Sequence, residues 1–359
     1  MALNPSGAIS LAGPSTGQSI AIELGQSATA TISLNDTNVR TLAQVPSGVI
    51  VMPTDFWGKS NVTGTQKAIF GYGIAPAQVS ITNLVSSTGV IATDTPGVGT
   101  ARQRLAAASY GGDKAIFGYG NAAPIVQSIT NLVSNTGVVS ANTPGVGTAR
   151  WQLAAAGYGN DKAIFGYGTI QNGNSSSLTN LVSNTGVVAT DTPGVGTARN
   201  GLAAAGYGND KAIFGFGSPG PLNITNLVSN TGVVASDTPG VGTARNLLAA
   251  TGYGGDKAIF GFGQTPTRVS MTNLVSNTGV VASDTPGIGL VRTGLGASIY
   301  GGDKAIFSYG LTNGTPTPAA IIAGNVTNLV SNTGVVASDT PGVGTARHGL
   351  AAAGYSTTP

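Results

Sequence analysis

The side chains able to carry acid–base, nucleophilic or ionic chemistry in this 359-residue chain are few, and they recur at a fixed spacing. Of the 29 charged residues, 22 fall on four ladders. Lysines open the run Lys-Ala-Ile-Phe at Lys67, Lys114, Lys162, Lys211, Lys257 and Lys304. Arginines close the run Gly-Val-Gly-Thr-Ala-Arg, or the variant Gly-Ile-Gly-Leu-Val-Arg, at Arg102, Arg150, Arg199, Arg245, Arg292 and Arg347. One set of aspartates directly precedes five of the lysines, at Asp113, Asp161, Asp210, Asp256 and Asp303. The other lies in a Ser/Thr-Asp-Thr-Pro-Gly turn at Asp94, Asp191, Asp237, Asp284 and Asp339, with Asn142 in the sixth place. A catalytic site needs a singular constellation, whereas these groups are repeated along the chain. Their expected role is structural. Asp before Thr-Pro-Gly is a turn former whose carboxylate accepts backbone hydrogen bonds, and an arginine of the same turn region is placed to pair with it. A ring-shaped ionic binding site is the alternative use of the same groups.

Other chemistries find little material. His348 is the single histidine, so a Ser-His-Asp triad would rest on it alone, and it reads as a tolerated surface residue. Glu23 is the single glutamate, so paired carboxylates for glycoside hydrolysis would come from aspartates only. There is no cysteine, no histidine cluster for zinc and no Asp-x-Asp-x-Asp-Gly calcium loop, and the Gly-x-Gly pairs lack the strand-to-helix context of a nucleotide site. The expectation is a protein that is not an enzyme and holds no cofactor and no metal. A net charge of +3 with no Lys/Arg cluster speaks against nucleic acid. No stretch reaches the ~18 consecutive apolar residues of a membrane span, so no membrane insertion is expected. Residues 1–13 lack the basic start and apolar core of a signal peptide, which reads as a soluble protein made inside a cell.

The elements that position these groups follow from the repeat. Successive Lys-Ala-Ile-Phe runs are 46 to 49 residues apart, and Thr-Asn-Leu-Val-Ser recurs with them from Thr82, Thr130, Thr179, Thr225, Thr272 and Thr327. With 56 glycines, 18 prolines and 41% hydrophobic residues, the chain is turn-rich yet apolar enough to fold, an all-β profile. Each unit offers four short apolar runs separated by turn formers, the anatomy of a propeller blade. The spacing therefore predicts a six-bladed β-propeller over residues 67–359. The Leu-Ala-Ala-Ala runs suit the crowded innermost strands, and Ile69, Phe70 and their equivalents fill the wedge between blades. The first unit has no Leu-Ala-Ala-Ala ahead of Lys67, and the last such run, Leu350 to Tyr355, has no Lys-Ala-Ile-Phe behind it. Pairing these two in one mixed N-/C-terminal blade completes six of every strand and leaves no open edge. An open stack of six hairpin units or a β-solenoid is the alternative.

Two resemblances add to this reading. Arg102 with Leu105 to Ala108, then Ala115 to Gly120, then Thr130 to Ser134, resembles the kelch repeat, which implies a kelch-like propeller; Val138 and Val139 stand where that family carries a Trp. The segment Glu23 to Ser60 resembles the short N-terminal module of virion structural proteins of tailed bacteriophages. The likeness lies in Ser33-Leu34-Asn35-Asp36 with Val39-Arg40-Thr41-Leu42, then Pro46-Ser47-Gly48 and Phe56-Trp57-Gly58-Lys59. It implies a tail fibre or tail adaptor, located in the virion and assembled in the host cytoplasm. Residues 1–60 would then be a docking module for other tail or baseplate proteins, through Asn35, Asp36, Arg40, Phe56 and Trp57, with residues 61–66 as a linker. Any oligomerisation would also run through this module. Read physically, the module is small and β-rich: strands over Ser19 to Leu24, Ala28 to Leu34 and Val49 to Met52, and a short helix capped by Asn35 that runs through Leu42.

What varies among the repeats is the connection between the Lys-Ala-Ile-Phe and Thr-Asn-Leu-Val runs, up to the long Leu311 to Val326 segment. Equivalent connections should emerge on one face, where divergent loops on a rigid ring build a recognition surface. Asn172, Asn174, Asn313 and Thr315 are the expected contacts. The leading expectation is a non-enzymatic virion component displaying this face. A carbohydrate-binding propeller that attaches to host-surface glycan is the second, and a polysaccharide hydrolase the third.

Overall fold

The computed structural model describes residues 66–313 and 321–357 throughout and, at the N-terminal end, residues 3, 8–11, 19–24, 27, 29, 31–34, 36–43 and 49–52. The chain divides into two units, Met1–Gly64 and Thr65–Pro359.

In the first unit the apolar residues Leu3, Ile9, Ile20, Val39, Leu42 and Ala43 form the core. The helix Thr37–Ala43 puts Val39, Leu42 and Ala43 on one face, the i, i+3, i+4 spacing of an amphipathic turn. The strand expected over Ser19 to Leu24 is instead one helical turn, Ile20–Glu23, closed by Glu23 N–H on Ser19 O and Leu24 N–H on Ile20 O. Consecutive Ile20 and Ala21 are both fully buried there, which a strand with one solvent-facing side would not supply. Residues 29, 31–34 and 49–52 form no strand either, so the described part of this module is not β-rich.

The second unit is all-β. Each Lys-Ala-Ile-Phe-Gly run is a strand buried on both faces, as its unbroken apolar sequence requires. It is the middle of a three-stranded antiparallel sheet between an alanine-rich strand and a Thr-Asn-Leu-Val strand. In chain order the described sheets are Ala106–Tyr110 with Lys114–Gly118 and Thr130–Val133, then Ala154–Tyr158 with Lys162–Gly166 and Thr179–Val182. Next come Ala203–Tyr207 with Lys211–Gly217 and Leu222–Val228, and Ala249–Tyr253 with Lys257–Gly261 and Thr272–Val275. Gly296–Tyr300 with Lys304–Asn313 and Ile321–Val330 follows. The remaining sheet joins the two ends of the repeat: Ala351–Ser356 pairs with Gln66–Gly71, from Gln66 opposite Ser356 to Gly71 opposite Ala351, and Gln66–Gly71 pairs with Thr82–Val85.

The fourth strand of each unit is reduced to two isolated bridges, Val133 to Val139 and Thr130 to Thr143 in the sheet of Lys114–Gly118 and likewise in the others. Between those bridges one side has three residue steps and the other four, so the ladder is bulged. Asn131 fills the gap, its Nδ2 donating to Ser140 O at 2.9 Å and to Asn142 Oδ1 at 3.1 Å.

The six alanine-rich strands neighbour one another in cyclic order, Ala351–Ser356 lying between Gly296–Tyr300 and Ala106–Tyr110. Together they line a cavity of about 230 Å³ walled mainly by alanine, glycine and serine, with Lys162 and Lys257 also on its wall. Two closed cycles of backbone hydrogen bonds tie the sheets. At one end Gln152 N–H donates to Arg104 O, Gly201 to Gln152, Leu247 to Gly201, Gly294 to Leu247, Gly349 to Gly294 and Arg104 to Gly349, at 2.5 to 2.9 Å. At the other end the hairpin turns are linked in the same way, Gly111 N–H to Asp161 O and onward to Gly301 N–H on Gln66 O and Ser356 N–H on Asp113 O.

Aromatic contacts fill the space between sheets. Tyr72 meets Phe117 at 5.2 Å between ring centroids, Tyr119 meets Phe165 at 5.1 Å, and the series returns to its start with Tyr309 on Phe70 at 5.5 Å. Gly71 is required beneath this contact, because a Cβ there would lie 2.8 Å from Phe117 Cζ. Tyr72, Tyr119, Tyr167, Phe216, Phe262 and Tyr309 all hold φ between 62° and 67°, a region that costs a bulky residue about 1–3 kcal/mol. Complete burial of each ring between neighbouring sheets offsets that strain.

Candidate functional site

Each ladder arginine is fully buried. Arg102 Nε donates to Tyr119 O at 2.8 Å and Nη2 to Asn131 Oδ1 at 2.8 Å, and its guanidinium lies 4.3 Å from the Tyr72 ring centroid of the neighbouring sheet. The same arginine-to-asparagine bond forms at Arg150, Arg245, Arg292 and Arg347, and is missing at Arg199, where Asn226 Oδ1 is unpaired. Burial lowers the arginine pKa values, to about 10 at Arg245 and Arg292, which leaves them charged at pH 7. Burial likewise pushes the Tyr119 hydroxyl up to about 12. These arginines bolt adjacent sheets together and face no solvent.

The turn aspartates are equally occupied. Asp191 accepts from Thr148 N–H at 3.0 Å and from Thr148 Oγ1 at 2.7 Å, fastening the segment that enters a sheet to the segment that leaves it. Asp94, Asp237 and Asp284 do the same with Thr345, Thr197 and Thr243, while Asn142 Oδ1 accepts from Thr100 N–H at 3.1 Å and its Nδ2 donates to Thr100 Oγ1 at 2.7 Å. Arginine and aspartate approach at 3.8 to 3.9 Å in three sheets, so the expected pairing exists but is secondary to these bonds. The other aspartates bond the adjacent lysine across 2.5 to 3.0 Å at the surface, for example Asp161 with Lys162 at 2.7 Å.

The unrepeated residues lie elsewhere. Each variable connection begins beside the residue that follows a buried arginine: Ile74 bridges His348, Asn121 bridges Gln103, Thr169 pairs with Trp151, Ser218 bridges Asn200, Gln264 bridges Asn246 and Leu311 bridges Thr293. All six connections therefore start next to the backbone cycle through Arg104 and Gly349. Neighbouring connections are braced by each other and by the residues that follow the buried arginines. Gln78 Nε2 donates to Asn121 O at 2.9 Å, Asn200 Nδ2 to Ser175 Oγ at 2.8 Å, Asn246 Nδ2 to Ser218 Oγ at 2.6 Å and Arg268 Nη1 to Asn313 Oδ1 at 2.7 Å.

The expected contact residues occupy this region with different roles. Asn172 and Asn174 are exposed at one turn, where Asn172 Oδ1 accepts from Asn174 N–H at 3.0 Å. Asn313 ends its strand and has its carbonyl taken by Arg268. Thr315 lies outside the described residues, as do Asn35, Phe56 and Trp57 of the docking set. The helix begins at Thr37, so the residue flanking it is Asp36 rather than Asn35; Asp36 Oδ2 accepts from Ser33 N–H at 2.8 Å, and Arg40 lies within the helix.

Sequence reasoning passed over Arg104, Trp151 and Arg268 at this end and read His348 as a surface residue. Their signal was legible as a charge, an indole and an imidazole at positions where the other repeats carry none. Arg104 stacks on Trp151 at 4.9 Å. His348 is not a plain surface residue: its Nδ1 is buried without a hydrogen-bond partner, and burial, with Arg104 and Arg268 nearby, pushes its pKa down to about 4. Beneath them a dimple of about 80 Å³ is lined by Arg104, Gln152 and the leucines that follow the backbone cycle, Leu105 and Leu350 among them. Among the described residues no group of three or more His, Asp or Glu is arranged to hold a metal. No protein-family model matches the chain, and comparison with curated proteins finds no match.

Proposed function

We propose that the Thr65–Pro359 unit is a closed, kelch-like six-bladed β-propeller in a non-enzymatic structural protein of a tailed-bacteriophage virion, of the tail-fibre or tail-adaptor type. Residues 1–60 dock it to neighbouring tail or baseplate subunits, and the end that bears the divergent connections is its recognition surface. The observation that carries the propeller is the pair of closed six-membered cycles of backbone hydrogen bonds, which an open stack or solenoid has no means of completing. The virion assignment rests on the Glu23 to Ser60 resemblance. A display role rather than catalysis is supported by the ladder aspartates, whose carboxylates are spent on threonine, asparagine and lysine partners. Removing residues 1–60 is expected to abolish incorporation into particles while the remaining chain keeps its β-sheet circular dichroism; normal incorporation of the shortened chain would overturn the docking role.

A second reading, a propeller that attaches to host-surface glycan, is favoured by the Arg104–Trp151 pair at the loop-bearing end. An aromatic ring beside polar donors is the usual composition of a saccharide site.

A further inference from the structure

Outside the ladders, the Thr65–Pro359 unit holds only two charged residues, Arg104 and Arg268, and a single histidine, His348. All three gather at the loop-bearing end, with one of the chain's two tryptophans. Arg104, Trp151, Arg268 and His348 are each half-buried. His348 precedes Gly349, whose carbonyl accepts from Arg104 N–H at 2.5 Å, and the charges of Arg104 and Arg268 both reach its imidazole.

The charges at this end are not compensated. Among the described residues neither Arg104 nor Arg268 forms a salt bridge, whereas five ladder lysines and three ladder arginines do. Asp284 lines a cleft of about 350 Å³ together with Arg268, but its carboxylate is bonded to Thr243 and Asn273, and its nearest cation is Arg245 at 3.8 Å. Arg268 Nη1 is held by Asn313, while its Nε is buried with no partner, as is His348 Nδ1. Arg102, Arg150 and Arg292 also lack a salt-bridge partner among the described residues, but they are fully buried, whereas Arg104 and Arg268 are partly open to solvent at this end, and the buried polar atoms Arg268 Nε and His348 Nδ1 are costly to leave without partners.

We propose that the arc formed by Arg268, His348, Arg104 and Trp151 is a binding site for an acidic saccharide. The two guanidinium groups take its oxyanion, for which their planar forks are suited, and the Trp151 indole packs on the apolar face of the sugar. Neutral His348 adds no third cation and serves as a hydrogen-bonding partner. The site deepens the display-face reading and rests on it.

The repeats supply their own replacements for the test. Glycine occupies the Arg104 position at Gly201, Gly294 and Gly349, and glutamine occupies the His348 position at Gln103. Arg104→Gly, Arg268→Gln and the double variant of the full chain are compared with the unchanged protein by titration calorimetry. The probes are a uronate-containing, a sialylated and a sulfated oligosaccharide, the neutral parent of each, and free sulfate. The unchanged protein is expected to prefer one acidic class over its neutral parent by at least about tenfold, and the double variant to lose that preference with its melting temperature unchanged. Equal binding of acidic and neutral glycans, or a preference that survives the double substitution, overturns the site while leaving the display face standing. Free sulfate binding as well as the best glycan overturns the saccharide assignment. No binding to any glycan overturns both the site and the glycan-attachment reading.

Discussion

Deleting residues 350–359 is expected to unfold the Thr65–Pro359 unit as a whole. The segment removes Leu350, Ala351, Ala353 and Tyr355 from the core, all nearly inaccessible to solvent. It also removes the six-residue pairing with Gln66–Gly71 and the Ser356 N–H to Asp113 O bond that completes one of the two backbone cycles. Burial of a large apolar side chain contributes about 1.5–3 kcal/mol and of a methyl group about 0.8 kcal/mol, so the four side chains together account for about 5–8 kcal/mol. That is comparable with the entire stability of an ordinary domain, about 5–15 kcal/mol. With a urea slope of about 3 kcal/mol per molar, a loss of about 5 kcal/mol lowers the unfolding midpoint by about 1.7 M. The assay is urea denaturation followed by circular dichroism. In an open stack the same deletion would only fray one terminal sheet. A midpoint within about 0.3 M of the intact chain, or a small early step followed by an unchanged main transition, would refute closure through this strand.

Phe117→Ala should cost about 3–5 kcal/mol by chemical denaturation, because it empties the space over Gly71 and strips Tyr72 of its ring contact. Arg347→Met should destabilise by about 3–5 kcal/mol, since Tyr72 O and Asn83 Oδ1 both lose their buried donor. Burial alone would raise the carboxyls of Asp94, Asp191, Asp237 and Asp284, but hydrogen bonds from their threonine and asparagine partners outweigh it and hold them below the ordinary carboxylate value. Their contribution is therefore full above the unfolded value of about 3.9 and is lost as pH falls through the lower folded values; melting temperature should drop in that window, and less steeply in Asp191→Asn, which copies Asn142. A proton NMR titration should find His348 neutral down to about pH 5, and a midpoint near the free value of about 6.5 would refute its burial.

Much of this architecture was legible because the repeat is strict. The Phe-Gly-Tyr-Gly run encodes a strand, a flat seat for the next sheet's ring and a left-handed step. The missing partner strands at either end of the repeat encode the pairing of Ala351–Ser356 with Gln66–Gly71. The fourth strand was misjudged because Asn131, read as a strand residue, uses its amide to bond the outer segment and interrupts the ladder. Ser19 to Leu24 was misjudged because the alternation Ser-Ile-Ala-Ile-Glu-Leu fits a strand as well as a single turn of helix, and only tertiary burial of Ile20 beside Ala21 decides between them. Attention at the site went to loop asparagines, since length and content vary most there. Arg104 and His348 lie two residues and one residue past a buried arginine, in positions that look regular until the six copies are compared, and Arg268 lies within a variable connection.

The pairing of Gln66 with Ser356 also separates the order of the chain from the order of the sheets. With first and last strands adjacent, a short covalent bridge could join them, and the chain could be reopened at any of the five intact hairpins between alanine-rich and middle strands without moving a core side chain. Each such permutant would attach the N-terminal segment to a different sheet. The position of that attachment is thus a free variable of the design, one that can be changed without rebuilding the structure that carries it.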